Sequence, residues 1–139
     1  MLNDEIRELL DKVSSQTRRN YNTLLRELNL HVGQDHLLCQ LWRKDGLTQV
    51  ELCEKLNCEA STVTNMLKVL EKNRLVVRLK DPADKRINRI FLTEDGKNIQ
   101  ASVSEVWENQ QNRLLDGITL EERQLMKRLL MQMQTNIFS

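Results

Sequence analysis

The chain has 139 residues, a net charge of +1, four glycines, one proline and few aromatics. That length suits one domain with a modest core, and the prevalence of Leu, Glu, Lys, Arg and Gln favours helices. There are no repeats or low-complexity segments, and charges interrupt every apolar run, so neither a signal peptide nor a membrane span is expected and the protein is expected in the cytoplasm.

Leu2 to about Leu28 reads as a long first helix, with Ile6, Leu9, Leu10, Val13, Tyr21, Leu24, Leu25 and Leu28 at helical spacing. So long an apolar stripe exceeds what a small core needs, and part of it is expected to meet a second subunit. Asn29 to Gly33 forms a break. Gln34 to Lys44 is a second helix with Leu37, Leu38, Leu41 and Trp42 inward, ended by Asp45-Gly46.

Thr48 with Glu51 is a capping box, so a third helix starts there. Val50, Cys53 and Leu56 are expected as its inner stripe. Asn57 suits a left-handed turn, and Cys58 an apolar contact beneath it. In the next helix, Ser61 to Asn73, Val63, Met66, Leu67 and Leu70 share one face. Ser61, Thr64, Asn65, Lys68 and Lys72 lie opposite. Hydroxyls and amides can bond base edges or phosphates, and lysine neutralises phosphate. A solvated amphipathic face would explain this helix alone, but the short turn before it gives helix-turn-helix spacing.

Two alternating runs follow, Leu75 to Lys80 and Arg89 to Thr93, around a polar stretch holding the only proline. They read as a β-hairpin with a long basic tip, which makes the whole a winged helix. Residues 61–89 carry eight Lys/Arg against three Asp/Glu, leaving thirteen against seventeen elsewhere. A basic patch on a nearly neutral chain suits salt-tunable DNA binding.

Thr93 can cap a further long helix carrying Ile99, Val103, Val106, Trp107, Leu114 and Leu115, ended by Asp116-Gly117. Thr119 to Glu122 is a second capping box, opening a last helix with Leu125, Met126, Leu129, Leu130, Met133 and Ile137 on its stripe. The expected fold is mainly α with a small β-hairpin wing (α+β): a winged helix-turn-helix with N- and C-terminal dimerisation helices. The stripes led by Leu9, Val13, Leu125 and Leu129 need covering, by a second subunit, which is the expectation, or by packing within the chain.

Leu47-Thr48-Gln49 with Glu51-Leu52, Ser61 to Thr64, Leu70 to Lys72 and Leu75-Val76 form one set of motifs; Asp81-Pro82, Asp84 to Arg86, and Leu92-Thr93 with Gly96 form another. Together they resemble the MarR family of bacterial transcriptional regulators. Asn65 and Ala83 stand where that family often has arginine, and Arg74 where it usually has glycine. The resemblance implies a single domain over residues 1–139, with a winged helix-turn-helix lobe at 34–96 and dimerisation helices at 1–30 and 97–139. It also implies a homodimer that acts, as a repressor or an activator, the repressor being the expected one, on a pseudo-palindromic double-stranded DNA operator. Relatives often respond to small aromatic acids bound between the dimer helices and the DNA-binding lobe.

On that resemblance Arg86 enters the minor groove, where a guanidinium suits the negative potential, and Asp84 orients it. Ser61, Thr62, Thr64, Asn65 and Lys68 are the recognition-helix candidates, and Lys85 and Arg89, with Arg78 and Lys80, suit phosphate or solvent. His31, His36 and Cys39 lie close in sequence, but zinc-sensing relatives use further histidines after the wing and none follows here, so no metal and no cofactor are expected. Peroxide-sensing relatives carry a cysteine near the start of the first helix, whereas no cysteine precedes Cys39 here. Cys53 and Cys58 are expected in the core of the helix-turn-helix, where thiols are usually inert, and Cys39, also expected to be structural, is the one to test for oxidant sensing. No phosphate loop or nucleophile elbow is present, so an enzyme is not expected. Two alternatives stay open: a thiol-based redox regulator on the same fold, and a winged-helix protein-interaction module.

Overall fold

A computed structural model describes residues 1–138. The order is α1 (Leu2–Arg26), α2 (Gln34–Arg43), β1 (Leu47–Thr48), α3 (Gln49–Leu56), α4 (Ala60–Lys72), β2 (Val76–Lys80), β3 (Asn88–Leu92), α5 (Glu94–Asn98), α6 (Gln100–Leu114) and α7 (Leu120–Phe138). Two compact units divide the chain, one spanning Met1–Trp107 and one running from Glu108 onward.

In the first unit the core forms where α2, α3, α4 and the sheet turn their apolar faces together. Leu38, Leu41, Leu52, Val63, Leu67 and Ile90 are essentially sealed from solvent. Each such side chain contributes about 1.5–3 kcal/mol on burial. The α4 face expected inward is inward: Val63, Leu67 and Leu70 are fully buried and Met66 partly so.

The inner stripe of α3 differs from the expected one. Val50 is 68% exposed, and Leu52 takes the buried place beside half-buried Cys53 and Leu56. The Thr48 hydroxyl accepts from the Glu51 amide at 3.1 Å, so Val50 falls in the capped first turn and faces water.

The sheet also has one strand more than the expected hairpin. Its order is β1-β3-β2, antiparallel throughout, with Leu47 opposite Ile90 and Thr48 opposite Arg89. β2 and β3 pair from Val76 opposite Leu92 to Lys80 opposite Asn88, which leaves 81–87 as the tip.

Three helix ends use the same device. Asn29, Asn57 and Arg74 all have positive φ (59°, 50° and 59°). In each case the next amide reaches back to the carbonyl five positions earlier: Leu30 to Leu25, Cys58 to Cys53, Leu75 to Leu70. This is the Schellman turn. Asparagine tolerates the left-handed region, whereas Arg74 occupies it at a cost glycine would not incur.

The expected long helix after the wing divides at Ile99 into α5 and α6. Thr93 caps α5 by accepting from the Gly96 amide at 3.0 Å, and its own hydroxyl donates to the Arg74 carbonyl at 2.7 Å. Gly96 has no room for a side chain: a Cβ there would collide with the Leu75 carbonyl oxygen. Its carbonyl also accepts from the Trp42 indole at 2.9 Å, which fastens α5 to α2.

In the second unit, Thr119 and Glu122 complete a reciprocal capping box, with bonds of 2.9 and 3.2 Å, at the start of α7. No described residue of α7 is buried.

Candidate nucleic-acid interface

The sequence of α4 buries one face and leaves the other in water. Ser61, Thr62, Asn65 and Lys68 are exposed on it. Thr64 is half-buried, and its hydroxyl accepts from the side-chain amide of Gln49 on α3. Gln49 therefore links the two helices of the motif and fixes the Thr64 hydroxyl, a role its sequence position gives no sign of. The N-terminus of α4 has no side-chain cap, and unpaired first-turn amides can serve phosphate oxygens.

The wing tip is built on carboxylates. Asp81 is nearly buried, accepts from the amides of Ala83 (2.7 Å) and Asp84 (3.3 Å), and takes the Arg89 Nε at 2.7 Å. The Arg89 hydrogen bond, then that of Ala83, holds the Asp81 carboxyl below its ordinary value. Further out, Asp84 accepts from the Arg86 Nε at 3.0 Å, from its terminal nitrogen at 3.1 Å and from its backbone amide at 3.1 Å. The side-chain pair, then the backbone amide, lowers the Asp84 carboxyl, and the side-chain pair raises the Arg86 guanidinium. Arg86 is nonetheless 91% exposed, so a charged, oriented fork stands in solvent at the tip.

Not every basic residue of the patch is presented in this way. Arg89 bonds Asp81, donates to the Gly46 carbonyl at 3.0 Å and lies 3.9 Å from Glu51. It ties the wing base to β1 and α3. Arg78 puts its Nε (3.1 Å) and a terminal nitrogen (2.8 Å) on one oxygen of Glu71, which joins β2 to the end of α4. Lys68, Lys80 and Lys85 remain exposed.

Leu9 and Val13 on α1 are 59% and 45% exposed; Leu125 and Leu129 on α7 are 51% and 40% exposed. His36 stacks on Trp107 with ring centroids 5.8 Å apart, and no group of three metal-ligating side chains gathers among the described residues. Cys53 and Cys58 are half-buried rather than enclosed, as is Cys39. No described helix is long and apolar enough to cross a membrane.

The family profile described as "MarR family" matches residues 30–88. The chain is 28% identical to the uncharacterized HTH-type transcriptional regulator YybA of Bacillus subtilis, over 98% of this chain and 90% of that protein. Its fold superposes on the S. aureus MepR–DNA complex with a TM-score of 0.87 and 27% identity, covering 96% of that chain and 93% of this one. A mutant of E. coli MarR, solved with operator DNA, gives a TM-score of 0.85 and 26% identity, with 93% of each chain covered. The chain belongs to the MarR family and is a winged helix-turn-helix DNA-binding transcriptional regulator.

Proposed function

We propose that this protein is a homodimeric repressor that binds a pseudo-palindromic operator and is released from it by a small aromatic acid. The observation that carries the reading is the pairing of two exposed features in one lobe. These are the Ser61, Thr62, Asn65 and Lys68 face of α4, and the Arg86 fork that Asp84 orients on the wing. The first suits base edges and phosphates in a major groove. The second suits the narrow, negative minor groove beside it. Lys80 and Lys85 serve phosphate, while Arg89 acts by holding the wing base.

The dimer follows from the apolar stripes of α1 and α7. Side chains such as Leu9, Val13, Leu125 and Leu129 gain by leaving water, and a two-fold axis between two lobes would set paired half-sites about 34–36 Å apart. The domain plan follows with it: DNA-binding lobe 34–96, dimerisation helices 1–30 and 97–139. Relatives solved on DNA support the operator reading. Family membership supports the effector class, and release would be a population shift between lobe spacings.

Selection of bound fragments from the source genome, followed by anisotropy titration across a salt series, tests this reading. The expected result is a small set of fragments, each with two related half-sites, bound far more tightly than random DNA. No preference over random DNA at any salt concentration would refute it.

A further inference from the structure

Gln49 opens α3, and the chain around it is held from two sides. Thr48 before it pairs with Arg89 in the sheet, and the Thr48 hydroxyl caps the helix by accepting from the Glu51 amide. The half-buried Gln49 side chain crosses to α4, where its amide nitrogen donates to the Thr64 hydroxyl oxygen at 2.5 Å. Thr64 stands on the edge between the two faces of α4. Val63 and Leu67 are fully buried on one side of it, and Ser61, Asn65 and Lys68 are exposed on the other. Among the described residues no group accepts the Thr64 hydroxyl proton, the Ala60 carbonyl one turn back included, although a helical threonine often bonds there.

We infer that Gln49 is a positioning residue that determines sequence specificity, by making Thr64 a hydrogen-bond donor to one base in each half-site. This rests on the proposed operator binding. A threonine hydroxyl carries one proton and two lone pairs, and it turns to suit its partner. Left to itself it donates to a guanine or thymine oxygen as readily as it accepts from a cytosine amino group, and so discriminates little. Gln49 changes this in two ways. Its N–H occupies a lone pair and stops the rotor. Accepting that bond also polarises the O–H and strengthens it as a donor. The proton is then left for DNA, whose major-groove edge presents acceptors on guanine (N7, O6) and thymine (O4). A cytosine amino group in the same place sets donor against donor and leaves both unpaired.

The test compares full-length wild type with Gln49→Met, Thr64→Val, Thr64→Ser and the Gln49→Met, Thr64→Val double variant. Each protein selects sites from a randomised duplex library, and a melting curve checks that it is folded. Wild type should prefer guanine or thymine over cytosine at one position of each half-site by about 3–10-fold, the range of one hydrogen bond. Gln49→Met, which keeps the side-chain length without the donor, should bring that preference near unity and leave the other positions as they were. Gln49→Asn, one methylene shorter, is the second variant and should lose the preference in the same way. Thr64→Val should match Gln49→Met, the double variant should go no further, and Thr64→Ser should keep the preference. Equal weakening of Gln49→Met on every sequence gives Gln49 a structural role only and overturns the inference. An unchanged preference in Gln49→Met, or a wild-type preference for cytosine, overturns it as well. Additive losses in the double variant do the same, since Gln49 would then act without Thr64. A wild type that selects no sequence over random DNA refutes the operator reading itself, and this inference with it.

Discussion

Arg86 and Asp84 form a two-pronged ion pair in open solvent, with Nε and a terminal guanidinium nitrogen 3.0 and 3.1 Å from the two carboxylate oxygens. Exposed ion pairs stabilise folds little. In the proposed function its value is orientation: a rotamer-rich side chain held in one direction before DNA arrives would lower the ordering cost of binding. Asp84→Ala should therefore leave thermal stability near wild type while weakening operator binding. Parallel melting and anisotropy curves check this; a stability loss that matches the affinity loss would remove the orienting role.

The two wing carboxylates make the lobe acid-sensitive in a definite direction. Hydrogen bonds from Arg89 and Arg86 hold Asp81 and Asp84 below the ordinary carboxylate value of 3.8. The folded wing thus binds protons less readily than the unfolded chain, so its stabilisation is present at neutral pH and is lost as pH falls through the lowered values. Protection of the β2 and β3 amides, measured against their intrinsic exchange at each pH, should stay constant near neutrality and fall in acid. Asp81→Asn should accelerate exchange at neutral pH and flatten the acid response; an unchanged acid limb would count against the Asp81–Arg89 tie.

Arg74→Gly should stabilise the protein by about 1 kcal/mol, because φ of 59° disfavours any side chain and α4 ends there in a turn that usually uses glycine. Urea denaturation checks it. The opposite exchange at Gly96 should be harmful. A Cβ against the Leu75 carbonyl forces backbone apart that Thr93 and Trp42 hold in place, and Gly96→Ala should cost roughly 1–3 kcal/mol.

Leu129→Glu should shift the assembly toward monomer, since a carboxylate in an apolar interface lacks a partner. Light scattering at micromolar concentration should report the wild type as a dimer and the variant as largely monomeric. A wild type that stays monomeric while binding a full operator tightly would end the dimer reading.

The helices were legible because their signals are local. α4 shows a fully periodic apolar face, and the Thr48, Thr93 and Thr119 caps announce three helix starts within a few residues. What stayed hidden depends on distant partners. β1 is two residues long and has no period to read; only its register with Ile90 and Arg89 reveals it. Val50 fits a helical stripe with Cys53 and Leu56 as well as Leu52 does, and only the tertiary contact chooses between them. Arg89 looks like its basic neighbours in sequence because its tie to Asp81 needs the hairpin register that sets Lys80 opposite Asn88. The Gln49–Thr64 bond likewise needs the crossing of two helices.

The most direct measurement is an anisotropy titration of Arg86→Ala beside wild type, on operator and random DNA across a salt series. The expected result is an intact fold and an operator loss of about 1–3 kcal/mol, largest where A·T-rich flanks narrow the minor groove. Asn65→Ala in the same series should relax preference at one position of each half-site, and Lys80→Ala should weaken all DNAs alike and lower the salt slope by about one. If Arg86→Ala binds operator and random DNA as tightly as wild type at every salt concentration, the wing is only a hairpin and the interface has been misassigned.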